Sequence, residues 1–339
     1  MVATRRWVPL TVLAGALACA SAPSVPEHGG GRAGVTTGVF HDEKRARTLV
    51  TEIWYPAVPD AEEHEETFNI IWNARAARDA RMAGGPPRPL VLFSHGSGGT
   101  RHDLAWLARA LAREGYLVAA VTHPGNTYQD NDPLRRLEIW QRPQDVRAVL
   151  DGLLAHPFWG PRVDRRHISA VGHSLGGYTV LAVAGARYDV KRAREHCLGP
   201  DADAACRAAA EVDRSRIDYR PSGLSYRDGR VRAVVALAPA VGPGFDERSA
   251  AEVTVPVHII SGLQDDITLH RLHAARWANL LHAELTVLDE ANHYTFINPC
   301  NALGSLGRIS ACADAPRADR LKLQAHVRRV VLDFLRRRG

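Results

Sequence analysis

From Pro89 onward, short apolar runs alternate with stretches in which apolar residues recur every three or four positions. A short apolar run suits a strand buried on both faces, and the wider spacing suits a helix with one buried stripe. The pattern predicts strands over Leu90–Phe93, Leu117–Thr122, His167–Val171, Val231–Leu237, Val257–Ile260 and Glu284–Leu288. It predicts helices over Asp103–Glu114, Pro143–Leu154, Leu175–Ala186, Leu269–Leu281 and Leu321–Arg337. Strands alternating with helices indicate βα units, hence an α/β protein with a mostly parallel, doubly wound sheet. Upstream, residues 34–57 read as two strands, the second being Leu49–Tyr55. Residues 58–88 begin acidic and run into a Gly-Gly-Pro-Pro stretch, which predicts an excursion over the surface. Residues 188–229 break the rhythm: they are highly charged and hold no clear strand. A long insertion between strands of such a sheet is expected to cap the site, with a plain surface loop as the alternative.

The N-terminus changes the picture of compartment. Residues 1–7 carry Arg5 and Arg6 and no acid, and residues 8–18 are apolar or small. Eleven such residues are too few to span a bilayer, which needs about 20. A basic start, a short apolar core and small residues at Ala16-Leu17-Ala18 predict a secretory signal peptide over 1–18. Two cleavage readings stay open, an ordinary A-x-A site and a lipobox that makes Cys19 a lipidated N-terminus anchoring the protein to a membrane. Residues 19–33 then form a flexible tether, and 34–339 one large domain with insertions at about 58–88 and 188–229.

Four cysteines remain beyond Cys19, in two local pairs, Cys197 with Cys206 and Cys300 with Cys312. Neither pair has C-x-x-C spacing, so a zinc or redox motif is not supported. In an exported protein these pairs are expected to be disulfides, each closing a surface loop, with four free thiols as the alternative.

Composition narrows the class further. The 339 residues are 45% apolar and 24% charged, which excludes a disordered chain, a fibrous repeat and a multi-span membrane protein. The net charge of +6 loses Arg5 and Arg6 with the signal peptide. With no long run of like charges, nucleic acid is not an expected partner. The basic end Arg336-Arg337-Arg338 suits the negative pole of a last helix.

The chemistry begins at Gly172-His173-Ser174-Leu175-Gly176-Gly177, which follows a predicted strand and opens a predicted helix. A G-x-S-x-G turn there is so tight that side chains two positions either side of the serine clash, so Gly172 and Gly176 are required. The turn lifts the Ser174 hydroxyl to a helix N-terminus, whose dipole favours negative charge. An earlier strand ends in Ser94-His95-Gly96-Ser97-Gly98-Gly99. A loop of this kind aims backbone N–H groups at a developing oxyanion, and Ser97 and Leu175 are the expected donors. The rival reading, a phosphate-binding loop, lacks its lysine.

These segments resemble the α/β-hydrolase superfamily over roughly residues 34–338. With Ile53-Trp54-Tyr55-Pro56, Arg142-Pro143-Gln144-Asp145 and His293-Tyr294-Thr295-Phe296 near Cys300, they resemble more closely the branch of predicted dienelactone hydrolases and platelet-activating-factor acetylhydrolases. The resemblance implies an α/β-hydrolase fold and ester hydrolysis through an acyl-enzyme, with no metal and no organic cofactor. Dienelactone hydrolases use a cysteine nucleophile, and Ser174 stands there instead.

The family order of serine, acid, histidine then selects the remaining residues. The loop Gly262-Leu263-Gln264-Asp265-Asp266 after a predicted strand places the acid at Asp265, with Asp266 as the alternative. His293, after the final strand and before the last helix, is the expected base. His173 and His95 are expected to pack beneath the site, and His123 to line a pocket wall. The expected substrate is a small-molecule or lipid ester. A polyester substrate and a non-catalytic, tethered binding protein are the competing readings.

Overall fold

The computed structural model describes residues 31–68, 72–306 and 309–339. The expected signal peptide, Cys19 and most of the expected tether lie outside the described residues. Ten strands form one sheet: β1 (Arg32–Asp42), β2 (Arg47–Ala57), β3 (His64–Thr67), β4 (Asn73–Arg78), β5 (Arg88–Ser94), β6 (Leu117–Val121), β7 (Val163–His173), β8 (Ala233–Leu237), β9 (Val257–Gly262) and β10 (Glu284–Leu288). The order across the sheet is β10-β9-β8-β7-β5-β6-β2-β1-β4-β3. The six strands from β10 to β6 run parallel. β2 joins β6 and β1 antiparallel.

The helices are α1 (Ala105–Arg113), α2 (Gln141–Ala155), α3 (Leu175–Ala184), α4 (Val190–Cys197), α5 (Ala204–Ala210), α6 (Glu247–Ala250), α7 (Ala274–Leu281), α8 (Ala302–Leu306) and α9 (Arg320–Arg338). Because side chains alternate along a strand, Leu90 and Leu92 of β5 enter one core with Val149, Leu181 and Trp277 from α2, α3 and α7. Val91 and Phe93 enter the other, with Leu107, Val331 and Phe334 from α1 and α9. Burial on both faces explains why the central strands read as unbroken apolar runs. No helix among the described residues is long and apolar enough to cross a membrane.

Two segments differ from their sequence reading. Residues 58–88 do more than skirt the surface: β3 and β4 pair antiparallel and extend the sheet beside β1. Their strand character is hidden because β4 reads Asn-Ala-Arg-Ala-Ala-Arg, with small residues where a strand usually carries large ones. The helix expected from Leu269 starts only at Ala274, because 270–273 form turns. Residues 188–229 hold α4 and α5 with a disulfide between them, Cys197–Cys206. Cys300 and Cys312 are also disulfide-bonded.

Two buried acids stitch the antiparallel end to the rest. Asp145 of α2 accepts from Arg47 Nε at 2.7 Å and from His123 Nδ1 at 2.9 Å. Glu52 of β2 meets Arg78 at 2.5 Å and Arg101 at 3.0 Å. Burial opposes both charges, but the hydrogen bonds and cations outweigh it and hold both carboxyls at about 2. A carboxyl lowered on folding stabilises the protein above its unfolded value and loses that contribution as pH falls through the folded one. Each is therefore expected to contribute roughly 2–3 kcal/mol at neutral pH, lost between about pH 4.5 and 2. Thermal melts against pH check this: Asp145→Asn should lie well below wild type at pH 7, and the gap should close toward pH 2. A gap that stays constant contradicts the assignment.

Candidate active site

Strand β7 turns into α3 at Ser174, whose backbone sits at φ 55° and ψ −119°. This is costly for a residue with a side chain and persists only where its surroundings enforce it. Here the enforcement is close backbone contact. A Cβ on Gly172 would overlap the Gly176 carbonyl, and one on Gly176 would overlap the Ser94 carbonyl. Gly177 packs on Pro239 in the same way, where a Cβ would come within 2.8 Å of Cα. Helix α3 can thus press against the ends of β5 and β8.

The turns after β9 and β10 are tied together, which brings two distant residues to one place. Leu263 N–H donates to the Leu288 carbonyl and Gln264 N–H to the Ala291 carbonyl, each at 3.0 Å. Asp265 and His293 follow directly. Asp265 Oδ2 lies 2.8 Å from His293 Nδ1, and His293 Nε2 lies 2.9 Å from Ser174 Oγ. All three are buried, Ser174 at 8% exposure, Asp265 at 3% and His293 at 4%. Nδ1 facing a carboxylate donates, which leaves Nε2 as the acceptor for the serine hydroxyl. Asp266, the alternative acid, is exposed.

Thr268 completes the carboxylate's surroundings, and sequence reasoning did not single it out. Its N–H donates to Asp265 Oδ1 at 2.7 Å and its hydroxyl to Oδ2 at 2.8 Å. Ile267 N–H adds a bond to Oδ1 at 2.9 Å. Burial pushes Asp265 up, but these bonds and His293 outweigh it and hold the carboxyl below its ordinary value. An acid three residues before a threonine in a turn was the available signal.

The remaining histidines are fixed from beneath. His173 Nε2 donates to the His293 carbonyl at 3.0 Å, and burial, helped by the nearby His293, lowers its value to about 3, so it stays neutral. His95 accepts from His123 N–H at 3.1 Å and donates through Nδ1 to the Gly96 carbonyl at 2.7 Å. His123 Nδ1 faces Asp145, so its Nε2 accepts from Ser94 Oγ at 2.9 Å. His123 is fully buried in this network, so it is not the pocket-wall residue the sequence suggested.

Arg142 is buried at the centre of that network. It donates to the His95 carbonyl, to Asn126 Oδ1 at 2.5 Å and to Thr179 Oγ1 of α3 at 3.1 Å. Asn126 in turn donates to Ser97 Oγ at 3.1 Å. The loop 94–99 is therefore pinned to the helix that carries Ser174. Ser97 and Ser174 line the same space, and Leu175 is the first residue of α3, where N–H groups lack intrahelical partners.

Ser174 opens onto two cavities. One, of about 290 Å³, lies under α4 and α5 and is bounded by Leu137, Ile139, Ala193, Val241 and the Cys197–Cys206 bridge. The other, of about 470 Å³, is bounded by Trp72, Tyr128, Tyr294 and His293. The three ligand-type residues His196, Asp203 and Cys206 cluster in the first cavity, but the bonded sulfur of Cys206 is not a thiolate and the set is not a metal centre.

Residues 91–303 match the Alpha/beta hydrolase family. The platelet-activating factor acetylhydrolase of Bos taurus is 27% identical over 150 residues, covering 31% of this chain and 34% of that protein. Cutinase est1 of Thermobifida alba is 31% identical over 105 residues, covering 30% of this chain and 32% of that protein. The match thus spans about a third of the length of these relatives. The ferulic acid esterase of Streptomyces cinnamoneus superposes with a TM-score of 0.60 at 22% identity, covering 94% of this chain and 92% of that chain, a likeness of fold.

The close contacts at the turn make a direct prediction. Gly176→Ala should destabilise by about 2–4 kcal/mol in urea unfolding. Gly229→Ala, where nothing lies within 4 Å of the added carbon, should change stability little. Equal effects of the two would contradict the packing account.

Proposed function

The chain belongs to the alpha/beta hydrolase family, and on that premise we propose that it is an exported serine hydrolase that cleaves carboxylic esters through an acyl-enzyme. The observation that carries the proposal is the buried, hydrogen-bonded line from Asp265 through His293 to Ser174. A carboxylate, an imidazole and a hydroxyl so arranged are what nucleophilic acyl transfer needs.

Ser174 Oγ attacks the ester carbonyl carbon while its proton passes to His293 Nε2. Asp265 stabilises the imidazolium through Nδ1. The carbonyl oxygen takes the negative charge and is held by the N–H groups of Ser97 and Leu175. The carbon–oxygen bond of the ester breaks, and the leaving alkoxide takes the proton back from Nε2. Water then repeats the sequence on the acyl-enzyme, giving the acid and free Ser174. No step calls for a metal or an organic cofactor.

An ester substrate is supported by the relatives' names, acetylhydrolase, cutinase and esterase. The cavity covered by α4 and α5 favours a small or lipid ester over a polymer, which needs an open groove. The complete hydrogen-bonded line counts against a binding-only protein. Export is supported by the two disulfides, which persist in oxidising compartments. In this reading residues 1–18 are a signal peptide, 19–33 a tether carrying Cys19 as an acceptor for lipid, and 34–339 the hydrolase domain.

The test is a fluorophosphonate probe together with short-chain p-nitrophenyl esters. Wild type should label and turn over, and Ser174→Ala should do neither. Asp265→Asn should lose about 10⁴-fold in kcat, whereas Asp266→Asn should stay near wild type. Equal labelling of Ser174→Ala, or a folded wild type without turnover, overturns the proposal.

A further inference from the structure

The two cavities at Ser174 are not equivalent, and the proton path distinguishes them. His293, the group that returns a proton to the leaving oxygen, lines the larger cavity and, among the described residues, does not line the smaller one. The alkoxide must leave within reach of Nε2 to be protonated. The acyl group, which stays bonded to Ser174, must then extend the other way. Resting on the hydrolase reading above, we propose that the space under α4 and α5 is the acyl site and takes a medium-length unbranched chain, while the larger cavity takes a bulky alcohol.

The dimensions and walls of the smaller cavity fit such a chain. At about 30 Å³ for a water-sized group, about 290 Å³ holds on the order of eight to ten carbons. Its apolar wall combines small and branched side chains, Leu137, Ile139, Ala193 and Val241, with the rings of Tyr188 and Tyr219, and the Cys197–Cys206 bridge lies on its lining. Several of the charged groups that border it, Asp203, His273 and Arg194, are engaged within its wall. Asp203 Oδ2 faces His273 Nε2 at 3.1 Å, and its Oδ1 accepts from Cys206 N–H at 3.0 Å. Gly242 N–H donates to His273 Nδ1, so the His273 proton is on Nε2, toward the carboxylate. Arg194 lies over the Tyr219 ring at 4.5 Å. The larger cavity has aromatic walls in Trp72, Tyr128 and Tyr294, and Tyr128 is half exposed at its mouth.

The assignment is tested with two substrate series on the purified protein. One varies the acyl chain of p-nitrophenyl esters from acetate to palmitate. The other varies the alcohol of acetate esters from ethyl to 1-naphthyl. Wild type should peak in kcat/KM near the octanoate and decanoate. Ala193→Trp and, as a second route into the same cavity, Ala209→Trp should lower the octanoate-to-acetate ratio at least about tenfold, the scale of lost pocket contacts. Neither should move the naphthyl-to-ethyl ratio much. Ile309→Trp, in the wall of the larger cavity, should do the opposite. Both cap variants leaving the chain-length ratio unchanged, or lowering the naphthyl ratio instead, overturns the assignment while the hydrolase reading stands. A folded wild type that consumes no ester of either series contradicts the hydrolase reading itself.

Discussion

The left-handed backbone at Ser174 is the constraint from which the rest of the site follows. A strand that must end by throwing one side chain clear of the sheet, and start a helix in the next residue, has almost no room. The room comes from Gly172 and Gly176, where carbonyl oxygens of the turn itself and of β5 occupy the space of a side chain. The strain is held in place by helix α3, fully buried along its length. Because the turn is closely packed, the imidazole of His293 need only be brought to one point, and the paired turns after β9 and β10 bring it there.

Around that point the molecule buries several charged and polar side chains that fix its geometry. Burying a charge is unfavourable unless it is paired and hydrogen-bonded. Asp145 meets this with Arg47 and His123, and Arg142 with a carbonyl, an amide oxygen and hydroxyls. The result joins β2, α2, the loop 94–99 and α3 into one network. Such a network is over-determined: removing one member strands the others, so the loop bearing Ser97 is held in register with the helix bearing Leu175. His173 plays the same part below His293, a neutral ring whose N–H anchors a backbone carbonyl.

Much of the architecture was legible because burial on both faces writes a simple pattern. The central parallel strands appear as apolar runs, and the edge strand β10, with Leu285 and Val287 exposed, still agrees with its expected ends, Glu284 and Leu288. The edge was less legible. β3 and β4 are short, polar and rich in arginine, alanine and glutamate, and their place is set by the pairing of β4 with β1 and of β3 with β4 rather than by their own composition. At the site, the serine and histidine were readable from motif and position, and the structure brings them within 2.9 Å. The choice of Asp265 over adjacent Asp266 rests on the family loop pattern, because which side of a turn faces inward is not written in the two residues themselves. Thr268, Asn126 and the part played by Arg142 were hidden for a related reason. Each acts through contacts with residues far away in sequence, and nothing local marks it.

The proposed reaction depends on Ser174 Oγ being the atom that carries the acyl group. Rapid-quench intact-mass measurement during turnover of p-nitrophenyl octanoate, followed by peptide mapping, tests this directly. A transient adduct of one octanoyl group per chain is expected, formed in step with the first burst of p-nitrophenol and located on the peptide containing Ser174. Turnover without an adduct, or an adduct on another residue, would contradict it.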